Sequence, residues 1–176
     1  MNIRTALKTD VESILEIHKS AFPEEESSTI AELATNLLSE DIKPPIISFL
    51  AEHNNVAIGH VAYSPATIDN DENWLGYILA PLAVKPKHQK HGAGSKLINH
   101  GIKQLKEMSV NVLFVYGDPK YYSRFGFNTK TSKNYLAPYD LKYPFGWQAM
   151  VLNQWNNLQG PVKVSCVASL NKSELW

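Results

Sequence analysis

The chain has 176 residues, of which 44% are hydrophobic and 19% charged, so it is expected to fold around a buried core and not to be disordered. Its 17 Lys and Arg residues balance its 17 Asp and Glu residues, which excludes the overall positive field of a non-specific nucleic-acid binder. A single cysteine, Cys166, excludes an internal disulfide, and no apolar stretch at the N-terminus is long enough for a signal or a membrane span, so we expect a cytoplasmic protein with no membrane partner.

The N-terminal part of the sequence predicts a strand and then a helix. Residues 1–5 are short and mixed around Ile3, which is typical of a first strand. Thr9 and Glu12 have the spacing of a capping box, and Pro23 ends the helix that this box opens. The apolar face of the helix repeats at helical spacing and consists of Val11, Ile14, Leu15, His18, Ala21 and Phe22.

A second capping box, Thr29 and Glu32, predicts that another helix begins near Thr29 and ends before Pro44. Residues 24–26 are all glutamate and fall in the predicted loop between the two helices. They either attract a cationic amine or form an ordinary solvated acidic run, and the sequence favours the second interpretation.

Three strands are predicted next. Residues 46–52 and 56–64 are apolar strand candidates, and the polar residues 53–55 between them suit a tight hairpin turn. Residues 74–84 predict a long strand that contains Pro81. Because proline donates no backbone hydrogen bond, this strand is expected to bulge or to part from a neighbour near Pro81.

The next segments predict a crossover unit. Residues 94–108 present one apolar helical face, and Val112–Tyr116 is a short apolar run, so strand, glycine-rich turn, helix and strand follow in order. This order favours a parallel pair of strands. Residues 119–125 predict a short helix capped by Gly126. Further strands are expected near residues 149–152 and 162–168.

Chemistry is concentrated in residues 84–96, which lead from a strand into a helix. The start of a helix leaves N–H groups unpaired and carries the positive end of the dipole, so it attracts anions. Gly92 and Gly94 let a phosphate approach the backbone, unless they only relieve crowding against the sheet. The patterns of P-loop kinases and of dinucleotide-binding dehydrogenases are absent. The stretch contains no Asp or Glu, and its lysines are Lys85, Lys87, Lys90 and Lys96.

Two motifs carry a resemblance to a known family. Gln89-Lys90-His91-Gly92-Ala93-Gly94 resembles the Q/R-x-x-G-x-G/A motif of the GNAT acetyltransferase superfamily. Gly117-Asp118-Pro119-Lys120-Tyr121-Tyr122-Ser123-Arg124-Phe125-Gly126-Phe127 resembles a motif of its bacterial YhbS-like branch. The two occur in the family's order and at its spacing.

This resemblance implies an α/β fold of the GNAT type, with a mostly antiparallel central sheet flanked by helices. In that fold the parallel fourth and fifth strands splay apart, and the pantetheine arm of the cofactor lies between them. It further implies a single domain over residues 1–176, with a core of about residues 1–130 and an aromatic-rich segment, residues 131–176, that completes the sheet.

The resemblance also implies a binding site for acetyl-CoA as co-substrate, without a metal. Leu82, Ala83 and Val84 on the fourth strand would contact the pantetheine, and Leu82 and Val84 would do so through their backbone. The residues implied to hold the pyrophosphate, mainly through backbone N–H groups, are Gln89, Lys90, His91, Gly92, Ala93, Gly94 and Ser95.

The activity that the resemblance implies is N-acetyl transfer from acetyl-CoA to a primary amine of a small molecule or a protein, by direct attack in a ternary complex. Tyr122 stands at the position of the family's general acid, and a phenol stays protonated near neutrality. Some members place a glutamate base on the fourth strand, where this chain has Tyr77, Ile78 and Leu79. We therefore expect that the acceptor is deprotonated through water or that the amine is already partly neutral.

Several alternatives remain open at this point. A catalytically silent acyl-CoA-binding module and a nucleotide-phosphate binder both use the same helix start. Tyr121 and Phe125 are interpreted as core residues, and His88 and His91 lack the further ligand that a metal site needs. An aromatic stretch walls the acceptor pocket, covers the sheet or forms a homodimer contact, and it consists of Tyr135, Tyr139, Tyr143, Phe145 and Trp147.

Overall fold

A computed structural model describes residues 1–69, 71–157 and 160–176. Within them, a mixed sheet has the strand order β1-β2-β3-β4-β5-β7, while β8 pairs with β3 and with β6. The strands are β1 (Asn2–Thr5), β2 (Ile47–His53), β3 (Val56–Ile68), β4 (Gly76–Val84), β5 (Val112–Tyr116), β6 (Tyr135–Leu136), β7 (Trp147–Val151) and β8 (Val162–Cys166).

Helices flank this sheet, as predicted. They are α1 (Val11–Ala21), α2 (Glu24–Ser39), α3 (Ala93–Glu107) and the short α4 (Pro119–Tyr122) and α5 (Thr129–Ser132). Among the described residues, no helix has both the length and the apolar character that crossing a membrane requires. The chain forms two compact units, of which the first is Met1–Tyr63 with Ala80–Gly101 and the second is Ser64–Leu79 with Ile102–Trp176.

The first unit is built on antiparallel pairing of β1 with β2 and of β2 with β3. The hairpin between β2 and β3 turns on Asn54 and Asn55, which have φ angles of 50° and 61°. Asparagine tolerates this left-handed conformation, so the predicted tight hairpin is confirmed. Helices α1 and α2 pack their apolar faces on this sheet through a core that includes Ile14, Ile17, Ala34, Leu50 and Ala83.

The predicted N-terminal cap of the first helix, Thr9, is wrong. Asp10 precedes α1, and its carboxylate accepts hydrogen bonds from the N–H of Leu7 and from two nitrogens of Arg4 at 2.7–2.8 Å. Arg4 thereby lowers the pKa of the Asp10 carboxyl. The carboxylate of Asp10 therefore organises this turn, and among the described residues no N–H group donates a capping hydrogen bond to the side chain of Thr9.

The predicted start of the second helix is also wrong. Helix α2 begins at Glu24, directly after Pro23, so Thr29 lies inside the helix and does not cap it. Residues 24–26 therefore form the first helical turn and not a loop. Their carboxylates lie at the positive end of the helix dipole, which stabilises this position for acidic side chains.

The second unit contains the predicted crossover pair. Strands β4 and β5 are parallel, with registered pairs from Gly76↔Val112 to Leu79↔Val115, and β7 pairs with β5 in the antiparallel direction. Strand β4 continues to Val84, five residues beyond its last pair with β5. The register with β5 thus ends just before Pro81, where the sequence predicted a parting.

The remaining elements agree with their predictions. Strand β5 has the predicted bounds, and β7 and β8 lie where strands were expected near residues 149–152 and 162–168. The short helix α4 is followed by a 3-10 turn that ends at Gly126, whose φ of 101° makes it the predicted left-handed cap. The core of this unit is aromatic, with the ring of Phe114 stacked on that of Trp147 at 5.0 Å.

Candidate active site

The predicted anion-binding turn begins where β4 ends. The N–H of Lys85 donates to the carbonyl of Ile58 at 2.8 Å, and its Nζ lies 2.9 Å from Oε1 of Glu16. The side-chain amide of Gln89 then donates to the carbonyl of Val84 at 2.9 Å. These contacts hold the first part of the turn, from Val84 to Gln89, where the chain leaves β4.

Two residues of this turn have a left-handed backbone. The φ angles are 62° at Lys90 and 84° at Gly92. Such an angle costs a residue with a Cβ about 1–2 kcal/mol, and glycine avoids this cost. A Cβ added at Gly92 would meet nothing within 4 Å. Since no atom lies near this position, Gly92 does not relieve crowding. It allows the left-handed conformation of the turn and leaves open space in front of the backbone.

The same turn leaves a row of backbone donors unpaired. Helix α3 begins at Ala93, and an early hydrogen bond of the helix runs from the N–H of Lys96 to the carbonyl of Gly92 at 3.0 Å. Unpaired N–H groups at a helix start attract an anion. Among the described residues, none accepts a hydrogen bond from the backbone N–H of His91, Gly92, Ala93, Gly94 or Ser95.

The charge around the turn is positive. Lys87, Lys90 and Lys96 are exposed, and no carboxylate in the described part of the chain lies within ion-pair distance of them. Lys85 is the exception, because Glu16 neutralises it. The turn therefore presents cationic side chains and backbone donors together, a combination that suits a phosphate group.

Two glycines that sequence reasoning did not assign to the site position α3. A Cβ at Gly59 would lie 3.2 Å from the carbonyl oxygen of Ala83 and 3.2 Å from Cδ1 of Leu97. A Cβ at Gly101 would lie 2.2 Å from Cζ of Tyr63, whose hydroxyl donates to the carbonyl of Leu97 at 3.3 Å. The available signal was Gly101 itself, since a glycine on the apolar face of a helix indicates a close neighbour.

The predicted general acid, Tyr122, lies in the second unit at the end of α4. The carboxylate of Asp118 caps this helix by accepting from the N–H of Lys120 at 2.9 Å. The ring of Tyr122 packs on Gly117, where a Cβ would come within 2.5 Å of it, and contacts the ring of Phe127 edge-on at 5.8 Å. Gly117 thus makes room for this ring.

Burial, followed by the proximity of Tyr121, raises the pKa of Tyr122 above its ordinary value of 10.0. The phenol therefore stays protonated at neutral pH and can donate a hydrogen bond. Within the part of the chain that the structure describes, the ring of Tyr122 contacts the rings of Tyr121 and Phe127, and its hydroxyl has no hydrogen-bond partner.

The expectation that Tyr121 and Phe125 belong to the core is wrong, because both are only half-buried. The guanidinium carbon of Arg124 lies 4.1 Å from the ring centre of Tyr121 and 5.0 Å from that of Phe125. The two rings therefore stack with a cation at the surface, an arrangement that favours partial exposure.

The aromatic stretch separates into a buried part and an exposed part. Tyr135 and Trp147 are each 5% exposed, and they cover the sheet around Phe114. Tyr143 is 50% exposed and Phe145 is 63% exposed. The interpretation as a cover for the sheet therefore holds for Tyr135 and Trp147 and fails for Tyr143 and Phe145. Tyr139 is half-buried, and its hydroxyl donates to Oδ1 of Asn171 at 3.0 Å.

A buried histidine pair in the first unit was not predicted. His18 Nε2 lies 2.8 Å from His60 Nδ1, and His60 Nε2 lies 2.5 Å from Ser48 Oγ. Burial lowers the pKa of His18 to about 4 and that of His60 well below 6.5, so both imidazoles are neutral at pH 7. Nδ1 of His18 has no hydrogen-bond partner among the described residues.

Metal binding finds no support in the described residues. Among them, no group of three or more His, Cys, Asp or Glu side chains is placed to hold a metal ion. The ring of His88 lies instead against that of His53, with 6.2 Å between the ring centres.

Comparison with known protein families identifies the family of this chain. The model of the acetyltransferase (GNAT) domain matches residues 2–129. The chain belongs to this family. The N-acetyltransferase YjhQ of Escherichia coli strain K12, whose function is uncharacterized, is 38% identical over 136 residues, which are 76% of this chain and 74% of YjhQ.

Comparisons with the YhbS branch agree with the resemblance seen in the sequence. The uncharacterized N-acetyltransferase YhbS of Escherichia coli strain K12 is 32% identical over 72% of this chain and 73% of YhbS. The crystal structure of Escherichia coli YhbS in complex with CoA matches with a TM-score of 0.81 and 26% identity, over 97% of this chain and 92% of that one. The predicted membership of the YhbS-like branch and the GNAT fold are therefore confirmed.

A further solved structure supports the fold alone. The GNAT family acetyltransferase of Brucella melitensis in complex with acetyl-CoA matches with a TM-score of 0.71 at 24% identity. The match covers 96% of this chain and 97% of that one, so the GNAT architecture extends beyond residue 129.

Proposed function

We propose that this GNAT protein transfers the acetyl group of acetyl-CoA to a primary amine of a small molecule or a protein, by direct attack in a ternary complex. The observation that carries the proposal is the row of five unpaired backbone N–H groups from His91 to Ser95. These donors suit the pyrophosphate of coenzyme A. The crystal structure of the relative YhbS contains CoA, which supports the same cofactor here.

The pyrophosphate would lie in front of Gly92, where the structure has open space. Backbone N–H groups from His91 to Ser95 would donate to its oxygens, and the dipole of α3 would add a favourable field. Lys90 and Lys96 lie in or beside this turn and would reduce the negative charge of the bound cofactor. The side chain of Gln89 would contribute to cofactor binding indirectly, since its amide donates a hydrogen bond to the carbonyl of Val84.

The pantetheine would run along the end of β4. Leu82, Ala83 and Val84 follow the last residue of β4 that pairs with β5, which is Leu79. Main-chain groups of Leu82 and Val84 would pair with the amides of pantetheine in the manner of an added strand.

Acetyl transfer forms a bond between nitrogen and the acetyl carbon and breaks the bond between that carbon and sulfur. The amine loses a proton to water, since residues 77–79 of β4 carry no carboxylate. The departing thiolate needs a proton, and Tyr122 would supply it or hold the thiolate by a hydrogen bond. Because burial raises the pKa of Tyr122, the phenol keeps its proton until the thiolate forms, and solvent then restores any proton that is passed on.

The proposal is tested by thiol release from acetyl-CoA with a panel of primary amines, together with competition between coenzyme A and ATP. We expect amine-dependent thiol release, and we expect coenzyme A to displace ATP. Binding of coenzyme A without thiol release for any amine or peptide would indicate a silent acyl-CoA-binding module. Preference for ATP would contradict the assignment of the turn to coenzyme A.

A further inference from the structure

The second unit contains a groove that the proposed cofactor site does not use. It is open to solvent and has a volume of about 910 Å³, and the aromatic rings of Tyr135, Tyr139, Phe145 and Trp147 line it. We call this feature the aromatic groove. A volume of this size matches those of small-molecule sites, which lie in the range of about 300–1,000 Å³.

The floor of the aromatic groove is rigid. Nε1 of Trp147 donates to the carbonyl of Tyr135 at 2.8 Å, and the hydroxyl of Ser132 donates to the carbonyl of Trp147 at 2.8 Å. Tyr135 and Trp147 are each 5% exposed, so their rings are held by the core. A preorganised floor lowers the entropy cost of binding a flat ligand.

The rim of the groove is apolar and open to solvent. Phe145 is 63% exposed and Leu136 is 54% exposed. Large apolar side chains that lie together at the surface mark binding sites, because burying them on a ligand is favourable. The ring of Phe145 is thus available to cover one face of an apolar ligand.

The charged residues of the groove select against polycations. Lys133, Lys163 and Asp140 line it, which gives one net positive charge. A polyamine carries several positive charges and would meet two lysines and one carboxylate. A ligand with one ammonium group needs only one carboxylate or a ring face, both of which the groove offers.

Contacts within the second unit join the rim to the segment that carries Tyr122. The N–H of Gly117 donates to the carbonyl of Gly146 at 3.0 Å, and the N–H of Tyr143 donates to the hydroxyl of Tyr116 at 3.0 Å. Gly146 follows Phe145 directly, and Gly117 is the residue on which the Tyr122 ring packs. One glycine therefore contacts both the rim segment and the proposed general acid.

From these observations we infer that the aromatic groove binds the acceptor, and that the acceptor is a monoamine with a flat aromatic body. The inference rests on the proposed function for the transfer step, but it makes a separate claim about binding. The exposed ring of Phe145 and the half-buried ring of Tyr139 supply area and stacking, and the net charge of the groove disfavours polyamines and other polycationic amines.

The first experiment compares four amines in the thiol-release assay with the intact protein: tyramine, phenethylamine, spermidine and cadaverine. We expect kcat/KM for the two aromatic amines to exceed that for the two aliphatic ones by at least about tenfold. Equal or faster acetylation of spermidine would overturn the inference.

The second experiment uses Phe145→Ala, with Val151→Ala as its control. Both residues are exposed apolar side chains of the second unit, but Val151 is 50% exposed and does not line the groove. We expect Phe145→Ala to raise KM for phenethylamine about fivefold or more, while affinity for coenzyme A stays unchanged. We expect no change in Val151→Ala. The same KM in both variants would contradict a role for the groove.

Direct binding separates the two proposals. Phenethylamine is titrated by calorimetry into the protein saturated with coenzyme A, in wild type and in Phe145→Ala. Binding that weakens in the variant supports the groove, even if no amine is acetylated and the proposed function fails. Acetylation of spermidine alone, without phenethylamine binding, would keep the proposed function and overturn the groove.

Discussion

The side-chain amide of Gln89 donates a hydrogen bond to the backbone carbonyl of Val84 at 2.9 Å. The first residue opens the GNAT motif, and the second ends strand β4. The side chain of this motif residue therefore joins the turn to the end of β4. We expect this hydrogen bond to hold in place the N–H groups that follow Gln89 in the turn.

Gln89→Ala removes this hydrogen bond, and the turn becomes more mobile before the cofactor binds. A neutral hydrogen bond contributes about 1 kcal/mol, so we expect the Kd for coenzyme A to rise by about fivefold. Calorimetry measures this change. Gln154→Ala replaces an exposed glutamine of the second unit and serves as the control. Unchanged affinity in Gln89→Ala would show that the turn keeps its shape without the bond.

Gly92→Ala tests the open space in front of the turn. With φ at 84°, alanine costs about 1–2 kcal/mol of stability, and its methyl group would occupy the position proposed for the pyrophosphate. We therefore expect a lower free energy of unfolding. We also expect the Kd for coenzyme A to rise by tenfold or more, which corresponds to a loss of about 1.4 kcal/mol in binding free energy.

Gly160→Ala is the matched control for this change. Gly160 has φ of 71°, and a Cβ there also meets nothing within 4 Å. Its substitution should therefore cost similar stability and leave the Kd for coenzyme A unchanged. If the two variants lose the same affinity, the effect of Gly92→Ala comes from stability alone, and the proposed phosphate position is wrong.

The parts of the fold that were predictable rest on local patterns. Alternating apolar residues placed the strands, and the pair Asn54 and Asn55 indicated the hairpin, because both signals act within a few residues. The helix starts were mispredicted because Asp10 is held by Arg4, and because Pro23 and the acidic residues 24–26 opened α2 earlier than Thr29. Ser and Thr patterns could not reveal these competing contacts.

The site was predictable only where a motif carried it. Residues 89–95 and Tyr122 are assigned by resemblance, and their roles stay predictions. The glycine at position 92 indicated that a phosphate can approach the backbone, but its left-handed φ of 84° is seen only in the structure. The pair His18 and His60 was missed because the two residues are 42 positions apart and meet only after the sheet forms. A lone histidine on an apolar helix face gives no indication of its partner.

Tyr122→Phe removes the hydroxyl and keeps the ring that packs on Gly117. General acid catalysis contributes about 10²–10⁴-fold, so we expect kcat to fall by about that range while the Kd for coenzyme A is unchanged. Steady-state thiol release and calorimetry give the two values. Tyr121→Phe is the control, because that neighbouring ring is half-buried beside Arg124. Turnover equal to wild type in Tyr122→Phe would exclude Tyr122 as the acid.

The buried pair His18 and His60 makes stability depend on pH. Burial lowers the pKa of His18 from 6.5 to about 4 and lowers that of His60 well below 6.5. Below about pH 6.5 the unfolded chain binds protons on these imidazoles while the folded chain does not, so the unfolded state is favoured. The free energy of unfolding should therefore be highest above pH 6.5 and fall as the pH decreases towards 4. For His18 alone this loss is roughly 3 kcal/mol.

Urea unfolding between about pH 7.5 and 4.5 measures this dependence. His18→Gln should reduce the slope in this window, because it removes one imidazole that must stay neutral in the folded chain. His53→Gln replaces an exposed histidine and should leave the slope as in wild type. Asp10, whose pKa is lowered from 3.8 by Arg4, contributes mainly at more acidic pH, so it does not account for a slope near pH 6. An unchanged free energy of unfolding from about pH 6.5 to 4.5 would mean that the folded protein accepts a proton on this pair.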